Sequence, residues 1–186
     1  MKIEQPLYYV VSSPFGPVAI VWWNAAAGPR VRQVMLCGRK SAAKAVQGKF
    51  PGARSESAAE IAGLGTQMQR FLKGQAIEFD LDMMGMDACG EFQRKVLLAE
   101  FGIPRGRVST YGRLAEHIGV KGGGRAAGRA LAENPFPIVI PCHRAVRADG
   151  ALGGYQGGSG MKRALLEMEG VAFANKGKVL MKNVYY

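Results

Sequence analysis

Three consecutive glycines at positions 122–124 separate two short helical patterns, and they constrain the fold more than any other feature. Before them, Thr110 is a suitable N-cap for a helix that carries Leu114 and ends at Gly119. After them, residues 125–132 also have a helical pattern. Two short helices joined by a glycine-containing turn predict a helix-turn-helix.

The second of these helices combines two arginines with very small residues. Arg125 and Arg129 are four positions apart and therefore share a face. A glycine inside a helix, such as Gly128, costs about 1 kcal/mol relative to alanine. We interpret the small residues as allowing close approach to a nucleic-acid backbone, and tight packing between helices is the alternative explanation.

The positive charge of the chain is concentrated in the same region. The net charge is +11, and residues 101–147 contain 8 basic residues against 2 acidic ones, a net of +6. Such a concentration favours a polyanionic partner. A solvated basic surface is the alternative that charge alone does not exclude.

A possible nucleophile follows directly after this basic helix. The apolar run 138–140 predicts a buried extended segment, and it leads into Pro141-Cys142-His143-Arg144. A free cysteine is usually a small core residue, but these basic surroundings are of the kind that stabilises a thiolate. Adjacent side chains point apart in an extended chain, so we expect His143 to reach Cys142 through a water molecule.

The remaining segments predict an α/β fold of the α+β type. The first half reads as strands 8–11 and 18–23 forming a hairpin, a strand at 31–36, helices at 42–50 and 61–72, a strand at 77–81 and a linker at 83–90. The second half adds helices at 92–101 and 161–169, the latter with Ser159 as a possible cap. We predict a small N-terminal α+β domain (1–86), a mostly helical C-terminal domain (87–170) and a basic tail (171–186).

The few metal-binding side chains argue against a metal site. The chain has three cysteines and two histidines, without a Cys-x-x-Cys pair, so we predict no metal and no cofactor. Free thiols indicate a reducing compartment. Residues 1–10, with Lys2 and Glu4, lack the apolar region of a secretory signal, and no run reaches membrane-spanning length. We therefore expect a soluble, cytoplasmic protein, or a nuclear one in a eukaryote, that does not act at a membrane.

Several motifs together resemble the O6-alkylguanine-DNA alkyltransferases in order and spacing from about residue 90 to residue 170. They are Phe92-Gln93, Val108-Ser109-Thr110-Tyr111-Gly112, Arg125-Ala126-Ala127-Gly128, Asn134-Pro135-Phe136-Pro137 with the Pro-Cys-His-Arg string, Gly154-Tyr155-Gln156-Gly157-Gly158 and Leu165-Leu166-Glu167-Met168-Glu169-Gly170. The N-terminal half resembles the family's variable domain more loosely. Some relatives carry zinc there, and the ligands it requires are absent from this chain.

The resemblance implies catalytic roles at matching positions. Cys142 would accept the alkyl group, His143 would act as base through a water molecule, and Glu169 would orient His143. Tyr111 would donate to N3 of the departing guanine and help to rotate the nucleotide. Asn134 would hold the helix-turn-helix against the active-site segment.

The resemblance also implies the binding residues. Arg125 would fill the space left by the flipped base. The implied DNA contacts are Arg125, Ala126, Gly128, Arg129 and Tyr111. The implied pocket residues are Tyr155, Gln156, Gly157, Ala145 and Pro137, with the carbonyls of Cys142 and Ala145 reading the exocyclic amine.

The implied function is direct reversal of DNA damage. O6 of guanine is stacked inside the duplex, so the nucleotide must be flipped out before a thiolate can attack its alkyl carbon. Water does not release the thiol from a thioether, so each molecule repairs one lesion. The implied partner is double-stranded DNA containing O6-alkylguanine, with O4-alkylthymine as a second lesion to test, and the protein is expected to act as a monomer.

Three other functions remain to be distinguished. A lesion-binding sensor on the same scaffold would lack the acceptor cysteine, which is present here. A sequence-reading regulator would carry base-reading Asn, Gln or Lys side chains on its recognition helix, which are scarce here. A thiol hydrolase with a Cys-His pair would turn over, whereas a suicide acceptor would not.

Overall fold

Alternating apolar residues in the first forty positions form an antiparallel sheet. In the computed structural model, which describes residues 5–174, 177–182 and 184–186, β1 (Leu7–Val11) pairs with β2 (Val18–Ala25), and β2 pairs with β3 (Gly28–Leu36). The predicted hairpin and third strand are confirmed. The short β4 (Arg54–Ser55) pairs in parallel with β1, which gives the order β3-β2-β1-β4.

Two predicted helices cover this sheet. They are α1 (Ala42–Lys49) and α2 (Ala59–Leu72). Gly65 brings α2 close to β1, because a Cβ at that position would lie 2.7 Å from a methyl carbon of Val11. Trp22 and Phe71 are buried in the core of this unit.

The strand predicted at 77–81 is wrong. In the part of the chain that the structure describes, this segment pairs with no strand, and its Phe79 ring instead packs 5.7 Å from the ring of Phe71. Pairing with β3 occurs only later, where Val31 forms an isolated bridge with Met84. The segment predicted as a linker therefore contains a buried residue, Met84, and a short 3-10 helix, Met86–Ala88.

The chain divides into two compact units. One contains Met1–Gly85 and Pro135–Val139, and the other contains Met86–Asn134 and Ile140–Tyr186. In the first unit, the backbone N–H of Val34 donates to the carbonyl of Pro135 at 2.7 Å.

The second unit is built mainly from helices, and the α+β class predicted for the chain is confirmed. Its helices are α3 (Glu91–Phe101), α4 (Tyr111–His117), α5 (Gly124–Ala132) and α6 (Gly158–Met168). Two short parallel strands, β5 (Ser109–Thr110) and β6 (Ala145–Val146), tie the unit together.

The helix-turn-helix pattern is present in α4 and α5. Thr110 caps α4 as predicted, its hydroxyl accepting from the N–H of Arg113 at 3.2 Å, and Gly119 follows the helix with φ of +83°. Ser159 is not a cap, because α6 begins one residue earlier at Gly158, with Gly157 in the capping position.

The run 138–140 is buried, as predicted, but it is not extended. Ile138 has φ of +78°, a conformation that branched side chains rarely adopt, so the chain turns here. Cys142–Arg144 then form a 3-10 helix. The extended geometry assumed for the Cys-His pair is therefore wrong, because a helical turn changes how consecutive side chains are directed.

The last described residues pack on the second unit. Tyr185 donates its N–H to the carbonyl of Val108 at 2.7 Å, and the Tyr186 ring stacks on His117 with centroids 3.7 Å apart. Lys2 and Glu4, which entered the prediction about a secretory signal, lie outside the described residues, as does Lys176 of the predicted tail. In the described ranges, no helix has the length and apolar character to cross a membrane.

Candidate active site

Cys142 lies beside a cavity of the second unit. The 3-10 helix that begins at Cys142 buries this side chain at the edge of a cavity of about 450 Å³. The cavity is lined by Tyr111, Gly128, Leu131, Ala132, Cys142, Arg147, Gly153, Gly154, Tyr155 and Gln156. Five parts of the unit therefore line the cavity: α4, α5, the 3-10 helix, the residue after β6 and the glycine-rich loop before α6.

The thiol of Cys142 is protonated in this setting. Burial raises the pKa of Cys142 to about 12, and the hydrogen bond with the Asn134 side chain and the charge of Lys162 lower it only in part. The expectation of a stabilised thiolate is therefore wrong for the protein without DNA. The physical reason is that desolvation outweighs the nearby positive charge. Cys142 needs a base to become a nucleophile.

A buried network of ionisable side chains lies next to Cys142 in the chain. Nε2 of His143 lies 3.0 Å from a carboxylate oxygen of Glu169, and both side chains are fully buried. Burial lowers the pKa of His143 against the raising effect of Glu169, so the ring stays neutral and can accept a proton.

Arg144 holds the carboxylate of this network in its ionised form. Its guanidinium donates twice to Glu169, each at 2.8 Å, in a bidentate arrangement. Burial raises the pKa of Glu169, but the hydrogen bonds and charges of His143 and Arg144 outweigh burial and bring it to about 2. Glu169 is thus a fixed anion.

Two amide side chains fasten the segment around the cysteine. The buried Asn134 follows α5 and donates to the carbonyl of Ile140 at 3.1 Å. Gln156 donates to the carbonyl of Asn134 at 2.7 Å. The end of α5 is thereby tied to both the cysteine segment and the glycine-rich loop.

Tyr111 also lines the cavity, where it contacts Lys162 and Gly153. It is the first residue of α4, and the ammonium of Lys162 donates to its hydroxyl at 3.4 Å. Burial raises the pKa of Tyr111 to about 12, so the phenol keeps its proton. Gly153 lies against it so closely that a Cβ there would be 2.5 Å from the hydroxyl oxygen.

The arginines and small residues of α5 lie on two faces of the helix, one exposed to solvent and one directed at α4. Arg125, Ala126 and Arg129 are exposed. Gly124 and Gly128 instead face α4, where a Cβ at Gly124 would lie 3.2 Å from the backbone nitrogen of Gly112 and one at Gly128 would lie 3.7 Å from the Tyr111 ring. Helix packing, the alternative explanation, therefore accounts for Gly124, whereas a Cβ at Gly128 would make only an ordinary van der Waals contact.

Three residues predicted to line the pocket do not line this cavity in the described structure. Ala145 is buried in β6 and its carbonyl accepts a hydrogen bond from Lys162 at 2.6 Å. Gly157 occupies the N-cap position of α6, and Pro137 is buried in the turn before Ile140. Tyr155 and Gln156 do line the cavity.

Two buried charged residues near the site were missed by the sequence analysis. Lys162 shares the helical spacing of Leu165 and Leu166 on the buried face of α6, and Glu100 shares that of Val96 and Leu97 on α3. A charged residue in the apolar register of a helix was a signal that could have identified both.

Comparisons with known proteins agree with this geometry. A family model described as the DNA-binding domain of 6-O-methylguanine DNA methyltransferase matches residues 91–171. The methylated-DNA–protein-cysteine methyltransferase of Methanothermobacter thermautotrophicus is 50% identical over 105 residues, which cover 56% of this chain and 58% of that protein. That match spans little more than half of the archaeal protein.

Two further comparisons span most of the chain. The methylated-DNA–protein-cysteine methyltransferase of Mycobacterium bovis is 37% identical over 165 residues, covering 87% of this chain and 91% of that protein. The crystal structure of Mycobacterium tuberculosis OGT in complex with DNA has a TM-score of 0.71 and 32% identity, covering 88% of this chain and 92% of that one. The resemblance found in the motifs is confirmed, and the chain belongs to the methylated-DNA–protein-cysteine methyltransferase family.

Proposed function

We propose that this chain repairs O6-alkylguanine in duplex DNA by transferring the alkyl group irreversibly to Cys142. The observation that carries the proposal is the position of Cys142, which lies at a cavity and adjoins the buried His143–Glu169 pair. An anion that stays ionised next to a neutral imidazole is an arrangement suited to accept a thiol proton.

In the proposed reaction, His143 takes the proton of Cys142 through a bridging water molecule. The thiolate then attacks the alkyl carbon in line with its bond to O6, so the S–C bond forms as the C–O6 bond breaks. The electron pair of the broken bond stays on the guanine. The hydroxyl of Tyr111 donates a proton to N3 of the ring, and the proton that His143 took from Cys142 then passes through solvent to the phenolate of Tyr111. Exchange with solvent moves the N3 proton to N1 and gives the ordinary tautomer of guanine. The products are a thioether and an unmodified guanine.

Recognition of DNA is proposed for the exposed face of α5. Arg125 and Arg129 project into solvent from this face, with Ala126 between them. Guanidinium groups of this kind neutralise phosphates, and a side chain inserted into the duplex, proposed here for Arg125, stabilises a flipped nucleotide. The small Ala126 would let the helix approach a groove closely. Such contacts predict binding with little sequence preference.

Three finer properties belong to the same proposal. The protein acts as a monomer in a reducing, intracellular compartment, where the thiol of Cys142 remains available. The cavity is also proposed to admit O4-alkylthymine, because a pyrimidine is smaller than a purine. The reaction stops after one transfer, since the alkylated sulfur cannot be regenerated by water.

The decisive experiment measures the intact mass of the protein after mixing with a duplex that contains O6-methylguanine. We expect a stoichiometric gain of one methylene, localised to Cys142 and absent in Cys142→Ser. Cys89→Ser is the matched control and should gain the same mass as the unmodified chain. Tight lesion binding without any mass change would indicate a sensor instead, and repeated turnover would indicate a hydrolase.

A further inference from the structure

Glu100 is a buried acid that the proposed reaction does not use. It lies on the buried face of α3, next to Ala99 and one turn beyond Val96 and Leu97, and no part of its side chain is exposed to solvent. Neither carboxyl oxygen has a hydrogen-bond partner among the described residues. Burying a carboxylate without a partner is very unfavourable, so such a group is kept only in its neutral form or for a function.

The two cations near Glu100 are already engaged elsewhere. Lys162 has three N–H donors, and they are directed at the carbonyl of Ala145 at 2.6 Å, the carbonyl of Gly154 at 3.2 Å and the hydroxyl of Tyr111 at 3.4 Å. Arg144 donates to the carboxylate of Glu169 from two of its nitrogens. Glu100 is therefore close to positive charge without forming an ion pair.

This environment keeps Glu100 protonated at neutral pH. Burial raises the pKa of Glu100 to about 8, and the charges of Lys162 and Arg144 and the backbone N–H of Ala145 lower it only in part. The N–H of Ala145 is close enough to act on the carboxyl but does not meet hydrogen-bonding geometry with either oxygen. The group thus carries a proton next to the reaction site.

The charge of Glu100 would act directly on the reacting groups. The titratable and charged groups around it are Tyr111 on α4, Cys142 and Arg144 on the 3-10 helix, Lys162 on α6 and Tyr186 at the last described position. A negative charge on Glu100 raises the pKa of Cys142 and of Tyr111. It therefore opposes both formation of the thiolate and donation of the phenolic proton.

We propose that Glu100 is a positioning residue of the alkyl-transfer site. As a neutral carboxylic acid it leaves Lys162 bound to Tyr111 and allows Cys142 to ionise, and its own ionisation opposes both. Transfer is therefore slowed at alkaline pH by a group that takes no part in the proposed bond changes. This inference rests on the proposed function, because it concerns the rate of the same transfer.

The test compares pH profiles of the single-turnover rate between about pH 6 and about pH 9, a range in which a bell-shaped curve reports the essential acid and base. The variants are Glu100→Gln, which keeps the shape but cannot ionise, and Glu100→Met, which is apolar and of similar length. Glu91→Gln, on the exposed side of the same helix and paired with Lys95, is the matched control.

We expect the wild type and the control to lose rate above the pKa of about 8. At one pH unit above it, about a tenth of the carboxyl groups remain protonated, so ionisation of Glu100 should slow the wild type by about tenfold relative to the Glu100 variants after normalisation at neutral pH. The charge of Glu100 raises the pKa of Lys162, so a limb caused by Lys162 would instead move to lower pH in the variants. A descending limb that persists in both Glu100 variants, unchanged or moved to lower pH, would overturn the inference. Lys162, whose pKa is lowered by burial to about 8, would then be the titrating group.

Infrared difference spectroscopy gives a readout that does not depend on transfer. The wild type minus Glu100→Gln spectrum at neutral pH should contain the carbonyl band of a protonated carboxylic acid, and absence of this band overturns the inference. A wild type that gains no alkyl group refutes the proposed function and this inference with it. Normal transfer with an unchanged profile refutes the inference alone.

Discussion

Replacing Gly153 with alanine tests how the glycine-rich loop places Tyr111. Gly153 has φ of +71°, and a Cβ there would lie 2.5 Å from the Tyr111 hydroxyl oxygen and 3.1 and 3.3 Å from two ring carbons. Real Cβ atoms do not approach within 3.0 Å of a heavy atom. Either the tyrosine or the loop must therefore move.

The expected magnitudes follow from these contacts. The left-handed conformation costs an alanine about 1–2 kcal/mol, so the free energy of unfolding should fall by about that amount. The loss should be larger if the Tyr111 ring cannot move away from the added methyl group. General acid catalysis contributes about 10²–10⁴ in rate. Displacing the hydroxyl of Tyr111 should therefore slow alkyl transfer by at least about tenfold, and by no more than Tyr111→Phe does.

The assay is the single-turnover rate of transfer from an O6-methylguanine duplex, with urea unfolding of the same samples. The matched control is Gly160→Ala, because a Cβ at Gly160 meets no atom within 4 Å and this residue lies on α6, outside the cavity lining. This variant should transfer at the wild-type rate. A Gly153→Ala protein that also reacts at the wild-type rate would refute the reasoning.

A double-mutant cycle separates the hydroxyl from other effects. If Gly153→Ala acts by displacing the Tyr111 hydroxyl, it should have little further effect on rate in the Tyr111→Phe background. Equal slowing in both backgrounds would mean that the loop, and not the phenol, carries the effect.

Further predictions concern the network and the core. Glu169→Gln should lower the free energy of unfolding by about 3–5 kcal/mol, because Arg144 is left buried without its counter-charge. The control Glu167→Gln, which breaks an exposed pair, should change this free energy by less than about 1 kcal/mol. Equal losses for the two variants in urea unfolding would contradict this prediction. The pKa of Glu169 is about 2 in the folded protein against an ordinary 4.5, so the unfolded chain binds more protons between these values and stability rises with pH across that window. The increase in the free energy of unfolding across this window is about 3 kcal/mol, and urea unfolding of Glu169→Gln at the same pH values should not show it. In the first unit, Phe71→Ala should cost about 3–5 kcal/mol and the exposed Val10→Ala less than about 0.5 kcal/mol, and similar values for both would contradict the burial of Phe71.

Local signals allowed much of the secondary structure to be predicted. Thr110 and Gly119 mark the two ends of α4, and the prolines and glycine at 14–17 mark the turn of the first hairpin. Caps and turns depend on hydrogen bonds and backbone angles within a few residues, so the amino-acid types are enough to locate them. The same locality explains why the strand at 77–81 was predicted wrongly. A strand needs a partner strand elsewhere in the chain, and local signals do not show whether one exists. Phe79 instead packs its ring against Phe71.

The proposed reacting groups could also be named from the sequence, because Cys142, His143 and Glu169 lie in motifs with characteristic spacing. What the tertiary structure decided is their protonation. The thiol of Cys142 is neutral and the carboxyl of Glu100 is protonated because each is buried. Burial depends on elements that are far apart in the chain. Its effect on the pKa values of these groups outweighs the effect of the nearby basic residues, which the sequence already shows. The sequence alone determined which chemistry is available, and the fold decided which groups hold a proton before the reaction begins.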